Sequence, residues 1–315
     1  MRTDPNNRPG GPHLIITAKT ANKVQFFDAA TLAPTSAIDM PASTHEMVLS
    51  PDGRKVFASV YGGGIFGKNS NPDRRIAVID LASRSLERMI DVGAALAPHG
   101  VMMDGETLWA TAELGDAVLA IDPGSDRVER IDIGGRAHWV AASSEKIFAS
   151  CKTSEFVEVI DAVGRRPVAK INIPNLAEGL AISPDGETLY VCAHRKGEIY
   201  AFDARTHALR ATVPIGGAPG TASQLRRVRV SPDARTVVVS SLLDCHVAIY
   251  EAESLKQIGA LATRKAPMGF GFAADGRHAF VCCHDDAIVM EFELSTGRAT
   301  RSFPTAAGCE FIISY

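Results

Sequence analysis

The chain lacks the features that would point to a membrane or to nucleic acid. Among its 315 residues, no apolar run approaches the length of a membrane-spanning helix, and the start has neither the basic residues nor the apolar segment of a secretory signal. The formal net charge is -3 and no block of basic residues occurs. Neither nucleic acid nor an anionic membrane is therefore expected as a partner, and we expect a soluble protein of the cytoplasm.

Motifs for nucleotides and covalent haem are also missing. The sequence has no G-x-G-x-x-G, no Walker motif and no C-x-x-C-H, so we expect neither a nucleotide cofactor nor covalent haem. Its six cysteines lack C-x-x-C spacing and mostly stand inside apolar runs, which favours free buried thiols over disulfides. Aromatic residues make up only 6%, so a large protein-binding face rich in Trp and Tyr is not obvious.

What the chain does contain is an internal repeat. Seven strand-like segments end in an apolar residue followed by an acidic one, at Phe27-Asp28, Ile79-Asp80, Ile121-Asp122, Ile160-Asp161, Phe202-Asp203, Tyr250-Glu251 and Phe292-Glu293. The acidic residues are 52, 42, 39, 42, 48 and 42 residues apart. Within the repeat, turns such as Ser50-Pro51-Asp52-Gly53 separate two apolar strands, since proline presets φ and glycine accepts positive φ. A further strand follows each acidic pair.

Four strands in a unit of this length predict an all-β fold, a seven-bladed β-propeller with four antiparallel strands per blade. The first unit begins at its second strand, whereas the segment 308–314 at the C-terminus looks like an unpaired first strand. Joining the two would complete blade one and close the ring. We expect residues 1–12 to form a flexible tail and residues 13–315 to form a single propeller domain.

The repeat resembles a known family. The Ser-Pro-Asp-Gly turn, followed by Leu189-Tyr190-Val191-Cys192 and Ile199-Tyr200-Ala201-Phe202-Asp203, is similar to the YVTN-type propeller repeat. The resemblance covers nearly the whole chain and implies a place among the cytochrome-d1-like and lactonase-like propellers. That superfamily includes enzymes, electron-transfer subunits and binding scaffolds, so the fold alone leaves the function open.

Two aligned positions distinguish one face of the predicted ring. The entry of the first strand, nearest the axis, holds His45, His99, His138, Glu178, Arg226, Met268 and Cys309. The second strand runs antiparallel to the first, so its end lies on the same face. That end holds Lys19, Tyr61, Glu113, Lys152, His194, Leu242 and His284. Five of the nine histidines thus fall on one face, which predicts a functional site at one mouth of the channel.

The candidate metal ligands are His45, His99, His138 and Glu178, because imidazole and carboxylate suit a divalent metal ion such as zinc, iron, copper or manganese. The same residues could instead serve metal-free catalysis or ligand binding, or hydrogen-bond the backbone of a neighbouring blade. Glu46 and Glu310 follow ring positions by one residue and should point to the other side of the strand.

The remaining candidates surround these histidines. Tyr61, His194, His284 and Glu113 are the candidate catalytic residues, and Arg226, Lys152, Lys19, Trp139 and Phe66 are the candidate substrate-binding residues. The basic side chains would fix an anionic group, although Arg226 and Lys152 could equally form salt bridges with Glu178 or Glu113. Insertions at 62–74 and 218–225 belong to the same face, and the first, rich in glycine, suits a lid.

We therefore interpret the chain as a small-molecule enzyme, a metal-assisted lyase or hydrolase that includes lactone opening among its reactions. Its substrate would be anionic or rich in oxygen. The first alternative is a non-catalytic propeller that binds a cofactor or a partner protein. The second is a mononuclear metal oxidoreductase, since histidine-rich ligation serves iron and copper too. A monomer is possible.

Overall fold

The computed structural model describes residues 11–94, 97–143, 145–195, 197–215 and 225–315, with backbone only at 225 and 226. They form seven antiparallel sheets of four strands each, so the predicted all-β, seven-bladed propeller is confirmed. Within these ranges no helix has the length and apolar character to cross a bilayer. The expected tail at 1–12 falls mostly outside them, and the single-domain boundary at 13–315 stays a prediction.

The strands follow one another from the inside of each blade to the outside. Blade one consists of the C-terminal strand β28 (Cys309–Ser314), then β1 (His13–Ala18), β2 (Lys23–Asp28) and β3 (Pro34–Asp39). Blade two consists of β4 (Ser43–Leu49), β5 (Lys55–Ile65), β6 (Lys68–Asp80) and β7 (Ser85–Asp91). Blade three consists of β8 (Pro98–Asp104), β9 (Thr107–Ala112), β10 (Ala117–Asp122) and β11 (Arg127–Asp132), with a 3₁₀ turn at Glu113–Gly115.

The remaining blades repeat this order without long additions to their strands. Blade four consists of β12 (Ala137–Ser143), β13 (Lys146–Cys151), β14 (Phe156–Asp161) and β15 (Arg166–Asn172). Blade five consists of β16 (Ala177–Ile182), β17 (Thr188–Ala193), β18 (Glu198–Asp203) and β19 (Leu209–Pro214). Blade six consists of β20 (Leu225–Val230), β21 (Thr236–Ser241), β22 (His246–Glu251) and β23 (Gln257–Ala262). Blade seven consists of β24 (Pro267–Phe272), β25 (His278–Cys283), β26 (Ile288–Glu293) and β27 (Ala299–Pro304).

The ring is closed by the last strand, as predicted. β28 pairs antiparallel with β1, with Ile313 opposite Ile15. The pairing extends beyond both strands, because the Tyr315 N–H donates to the His13 carbonyl at 2.9 Å and the His13 N–H donates back to Tyr315 at 3.1 Å. The first strand of blade one therefore comes from the opposite end of the chain, which leaves no open inner edge in that blade.

Apolar packing between neighbouring blades forms the core. Seven buried clusters each join two adjacent blades and together follow the ring round to its start. The cluster between blades two and three, for example, packs Val48 and Phe57 against Val101 and Leu119. The outer strands are largely exposed, as the alternation in β3 and β19 shows. Most of the hydrophobic stabilisation therefore lies between blades rather than within them.

A long hairpin extends blade two above the others. β5 and β6 continue past the blade and turn at Phe66 and Gly67, so the predicted insertion at 62–74 is a two-stranded hairpin. Gly62 has φ +96°, and a Cβ there would lie 2.2 Å from the Asn71 carbonyl oxygen. Only glycine fits this position, where the register of the hairpin shifts. The second predicted loop, 218–225, lies outside the described residues apart from the backbone of residue 225.

Candidate functional site

Each inner strand carries a β-bulge at the end where the candidate residues stand. In the inner strands of blades two to seven, the register shifts across two intervening residues, between Thr44 and Met47, Pro98 and Val101, Ala137 and Val140, Ala177 and Leu180, Leu225 and Val228, and Pro267 and Phe270. In blade one it shifts between Cys309 and Phe311. Because two residues of a bulge oppose one on the partner strand, strict alternation of sides is lost there.

The bulges surround a cavity of about 310 Å³. It is lined by nine of the predicted site residues, namely Lys19, His45, Phe66, His99, His138, Trp139, Lys152, Glu178 and His194, and by Ile65, Arg227, Met268 and Glu310. All seven blades contribute at least one of these side chains. The volume is that of a small-molecule pocket.

The bulge corrects two expectations about neighbouring residues. In blade one the cavity is lined by Glu310, whereas Cys309 is buried with its Sγ 3.5 Å from the Ile288 carbonyl oxygen. Glu46, expected on the opposite side from His45, is buried together with it and with His99. Both expectations were wrong because they assumed the two-residue alternation of a regular strand.

Arg227 is a buried cation of the cavity lining that the alignment missed. Its guanidinium donates from Nη1 to Glu46 Oε1 and from Nη2 to Glu310 Oε1, the latter at 2.8 Å. The same group lies 4.2 Å from the centre of the Trp139 ring. The neighbouring Arg226, which the alignment chose, has its side chain outside the described residues. A buried guanidinium held by two carboxylates and an aromatic face is fixed in position.

The two carboxyl groups that bind this arginine have different pKa values. Burial raises the pKa of Glu46 to about 7 against the opposing effect of Arg227. Burial also acts to raise the pKa of Glu310, but Arg227, His45 and Lys19 outweigh it and lower that pKa to about 2. One carboxyl is thus ionised at neutral pH, while the other lies near its titration point.

The three ring histidines converge. The ring centres of His45 and His99 are 4.7 Å apart, and those of His99 and His138 are 4.0 Å apart. Burial is the main cause that holds the pKa of His45 and of His99 well below 6.5. Burial and then the Lys152 cation lower the pKa of His138 to about 3. All three imidazoles are therefore neutral at pH 7 and can bind a metal or accept a hydrogen bond.

The four predicted metal ligands nevertheless fall into two groups. Lys152 Nζ lies 3.2 Å from His138 Nε2 and 3.0 Å from Glu178 Oε1, and those two atoms are 3.3 Å apart, so one ammonium group contacts both residues. His194 belongs to the same group, with its Nδ1 3.6 Å from Glu178 Oε2. The other group is formed by His45 and His99 together with Glu46, and this His/Glu cluster could hold a metal ion.

Two predicted catalytic residues, Tyr61 and Glu113, lie below the hairpin and outside the cavity lining. The Tyr61 hydroxyl donates to Glu113 Oε2 at 2.7 Å, and the Gly67 N–H donates to Glu113 Oε1 at 3.1 Å. Burial and this hydrogen bond raise the pKa of Tyr61 above its usual range. Glu113 thus attaches the hairpin turn to blade three. His284, also outside the lining, has its Nε2 3.7 Å from Glu310 Oε2.

The hairpin covers part of the cavity with apolar side chains. The Phe66 ring centre is 5.1 Å from that of His138, and Lys152 Nζ is 4.6 Å from the Phe66 centre. Ile65 joins the lining from the same turn. The role of this segment as a lid stays a prediction, and its position over the cavity is compatible with it.

Buried hydroxyl groups fix the bulges from one blade to the next. Ser59 Oγ accepts the Glu46 N–H at 3.1 Å and donates to the His99 carbonyl at 2.6 Å. Thr17 and Thr111 donate in the same way to the carbonyls of His45 and His138. Each of these hydroxyls stands in the second strand of one blade and holds the ring histidine of the following blade.

Comparison with known proteins supports the fold more than the site. No protein-family model matches the chain. Among curated proteins, Antigen Lp49 of Leptospira interrogans is 25% identical over 273 residues, which cover 78% of this chain and 56% of that protein. The chain thus spans little more than half the length of this relative.

Solved structures share the architecture at low identity. The Pseudomonas aeruginosa periplasmic gluconolactonase has a TM-score of 0.78 at 17% identity, covering 95% of this chain and 98% of that one. A putative 6-phosphogluconolactonase from Bacteroides fragilis has a TM-score of 0.77 at 16% identity, with coverages of 95% and 96%. Hydrazine synthase of Kuenenia stuttgartiensis has a TM-score of 0.78 at 16% identity, with coverages of 92% and 96%. The resemblance to lactonase-like propellers is confirmed for the fold.

Proposed function

We propose that this chain is a lactonase-like hydrolase that opens a small cyclic ester in the cavity. The observation that carries the proposal is the convergence of imidazoles, carboxylates and cations from six of the seven blades into about 310 Å³. Such a site offers a base, donors for an oxyanion and an enclosed volume, which are what acyl hydrolysis requires. The two gluconolactonase-like structural neighbours support this reaction class.

The charges of the lining favour an anionic or oxygen-rich substrate. Three lining residues are basic, namely Lys19, Lys152 and Arg227, and two are acidic, namely Glu178 and Glu310. The excess of positive charge, under the apolar Ile65 and Phe66, suits a carboxylate or a polyhydroxylated ring that carries an anionic group. A lactone of a sugar acid has this chemistry.

In the proposed reaction a water molecule attacks the ester carbonyl and the ring C–O bond breaks, giving a hydroxy acid. His194, whose Nδ1 lies 3.6 Å from Glu178 Oε2, takes the proton from the water and returns it to the leaving alkoxide. Lys152 and Arg227 stabilise the negative charge that develops on the carbonyl oxygen. A divalent metal ion, which forms part of the proposal, would supply Lewis acidity when bound.

Substitution of Lys152 tests the proposal, and Lys170 of the same blade provides a matched control. Both lysines pair with a glutamate and lie over a phenylalanine ring, but Lys170 is on the outer strand β15, away from the cavity. We expect Lys152→Met to lower kcat/KM for lactones by about 100-fold or more, as loss of an oxyanion donor does. Lys170→Met should leave it unchanged.

The assay follows proton release from a panel of sugar-acid lactones and neutral aliphatic lactones, with circular dichroism to confirm that each variant is folded. Absence of turnover on every lactone, or an equal effect of the two lysine substitutions, would contradict the proposal. The panel also tests the expected preference for anionic substrates. Cytoplasmic location remains part of the proposal and is checked by cell fractionation.

A second candidate is a mononuclear metal oxidoreductase. The group of His45, Glu46 and His99 favours it, because two imidazoles and one carboxylate are the donor set of many non-haem iron oxygenases. Oxygen consumption by the iron-loaded protein, measured beside the lactone panel, separates the two candidates. Binding without turnover in either assay would favour a non-catalytic scaffold.

A further inference from the structure

Three potential metal ligands lie together at the bulges of blades two and three. His45 and Glu46 are consecutive residues of β4, and His99 occupies the corresponding bulge in β8. One donor atom from each can be chosen so that all three lie within 4.8 Å of one another. Their exposed fractions are 4%, 1% and 4%, so water has little access to them.

Several polar atoms of this group have no hydrogen-bond partner among the described residues. These atoms are Nδ1 and Nε2 of His45 and Oε2 of Glu46. A buried polar atom without a partner destabilises the folded protein, so native proteins seldom leave several of them together unless an ion or a ligand satisfies them. The arrangement therefore points to a ligand that accepts lone pairs from both residues.

The other atoms of the group are held so that they present lone pairs. His99 Nδ1 is 3.1 Å from the His138 carbonyl oxygen, and a carbonyl can only accept, so Nδ1 carries the proton and Nε2 keeps its lone pair. Thr111 donates to the same carbonyl and fixes it. Arg227 binds Glu46 through Oε1, which leaves Oε2 available. Partners that orient ligands in this way are typical of protein metal sites.

We propose that His45, Glu46 and His99 bind one divalent transition-metal ion through two imidazole nitrogens and one carboxylate oxygen. Imidazole with carboxylate suits zinc, iron, manganese or cobalt rather than calcium or magnesium, which prefer oxygen ligands throughout. Metal binding stands on this geometry alone, whereas any catalytic role of the ion rests on the proposed function.

His138 and Glu178 are excluded from the ligand set by Lys152. His138 Nε2 lies 3.2 Å from Lys152 Nζ and 3.3 Å from Glu178 Oε1, so this nitrogen is already engaged by both groups. The same ammonium lies 3.0 Å from Glu178. A metal ion bound by His138 and Glu178 would have to displace this ammonium group, whereas Arg227 binds Glu46 through Oε1 and leaves Oε2 available. The ligand set thus differs from the four residues expected from the alignment.

Metal content of matched variants tests the inference. Purified protein is stripped with a chelator, incubated separately with Zn(II), Fe(II), Mn(II) or Co(II), gel-filtered and analysed by plasma mass spectrometry. We expect about one ion per chain for at least one metal in the wild type, and an affinity lowered more than about 100-fold in His45→Ala/His99→Ala. The control His138→Ala/Glu178→Gln should bind metal like the wild type. Its substitutions keep the backbone carbonyl of residue 138, which accepts the hydrogen bond from His99 Nδ1.

Metal retained by His45→Ala/His99→Ala, metal lost equally from the control, or no metal in the wild type would each overturn the assignment. Because the variants could misfold, X-ray absorption of the wild type loaded with Zn(II) gives an independent measure. Two imidazoles and a carboxylate oxygen are expected, and three imidazoles would contradict the triad. Lactone hydrolysis by metal-free protein would overturn a catalytic role for the ion but leave the hydrolase proposal intact. Bound metal without lactone hydrolysis would support the metal site and contradict the hydrolase proposal.

Discussion

At the scale of single residues, Arg227 is the most consequential side chain in the cavity. It is buried between Glu46 and Glu310, which come from different blades, and its guanidinium binds both carboxylates. Two carboxylates held close together in a buried site repel each other unless a cation lies between them. Arg227 therefore stabilises the ring in addition to any role toward a substrate.

Replacing Arg227 with methionine should destabilise the protein strongly. The substitution leaves two buried carboxyl groups without their partner, so we expect a loss of about 3–5 kcal/mol in the free energy of unfolding. The control is Arg54→Met, because Arg54 and Asp52 form an exposed pair at 4.0 Å with exposed fractions of 83% and 59%. An exposed pair contributes less than about 1 kcal/mol.

Urea denaturation followed by circular dichroism measures both variants. If Arg227→Met lowers the free energy of unfolding no more than Arg54→Met does, the buried arginine contributes nothing beyond a surface ion pair. Unchanged slopes of the unfolding curves would show that the two variants unfold by the same transition as the wild type.

The residues missed by sequence reasoning share one physical cause. Period-two alternation placed Glu46 and Glu310 away from the channel, but Glu310 lines the cavity and Glu46 binds the lining residue Arg227. The signal that could have found them is local: in blade two a charged residue directly follows a ring position, and in blade six two arginines are consecutive. Consecutive charged residues at the start of an apolar strand are better explained by a bulge than by a regular strand.

At the scale of strands, the hydroxyls of the second strands connect the bulges. Ser59 satisfies a backbone N–H in its own blade and a backbone carbonyl in the next. Ser240 stands at the equivalent position of blade six, and its buried Oγ has no hydrogen-bond partner among the described residues. The two serines thus allow the same substitution to be compared in a satisfied and an unsatisfied environment.

We expect Ser59→Ala to lower the free energy of unfolding by about 1–3 kcal/mol, because it leaves the Glu46 N–H and the His99 carbonyl buried without this partner. Ser240→Ala should be neutral or slightly stabilising, since it removes an unsatisfied buried hydroxyl. Thermal unfolding by differential scanning calorimetry distinguishes the two. Equal effects at the two positions would contradict a specific role for the bridge.

The hairpin of blade two shows that the position of an element can be predicted from sequence while its conformation cannot. The length of the insertion and its glycines indicated a segment over the histidine face, and Phe66 does line the cavity. The conformation could not be read from sequence, because the hairpin depends on Glu113 of the next blade accepting the Gly67 N–H. Glycine-rich sequence alone is equally compatible with an irregular loop.

At the scale of the whole molecule, the fold was predictable because a propeller is built from local units. Each hairpin is encoded by its own strands and turn, and the repeat length then fixes their number. Closure was also predictable, since a chain with an unpaired strand at one end and a missing strand at the other has one simple pairing. The cavity was less predictable from sequence, because its shape depends on how the seven bulges face one another.

Removing the closing strand should prevent stable folding. Deletion of residues 309–315 takes away Phe311, Ile312 and Ile313, all buried, each worth about 1.5–3 kcal/mol. The sum approaches the total stability of about 5–15 kcal/mol of an ordinary protein. We expect the deleted chain to lose its cooperative thermal transition and to aggregate, as measured by calorimetry and light scattering.

The control is a circular permutant that keeps every strand. Residues 13 and 315 are hydrogen-bonded neighbours, so a short glycine linker can join them, with new ends between Gly124 and Ser125 in the turn after β10. This permutant should fold with nearly the melting temperature of the wild type. A stable deletion variant would show that the ring does not need its closing strand.

The recurring bulge has a consequence for how this molecule can change over evolutionary time. The same backbone irregularity accepts histidine, glutamate and methionine at equivalent places, while the apolar clusters that hold the ring together lie elsewhere. Single-codon changes can therefore exchange one chemical group at the rim without rebuilding the architecture. A lineage of such proteins can acquire new reactivities by independent steps, each tested by selection on an unchanged frame.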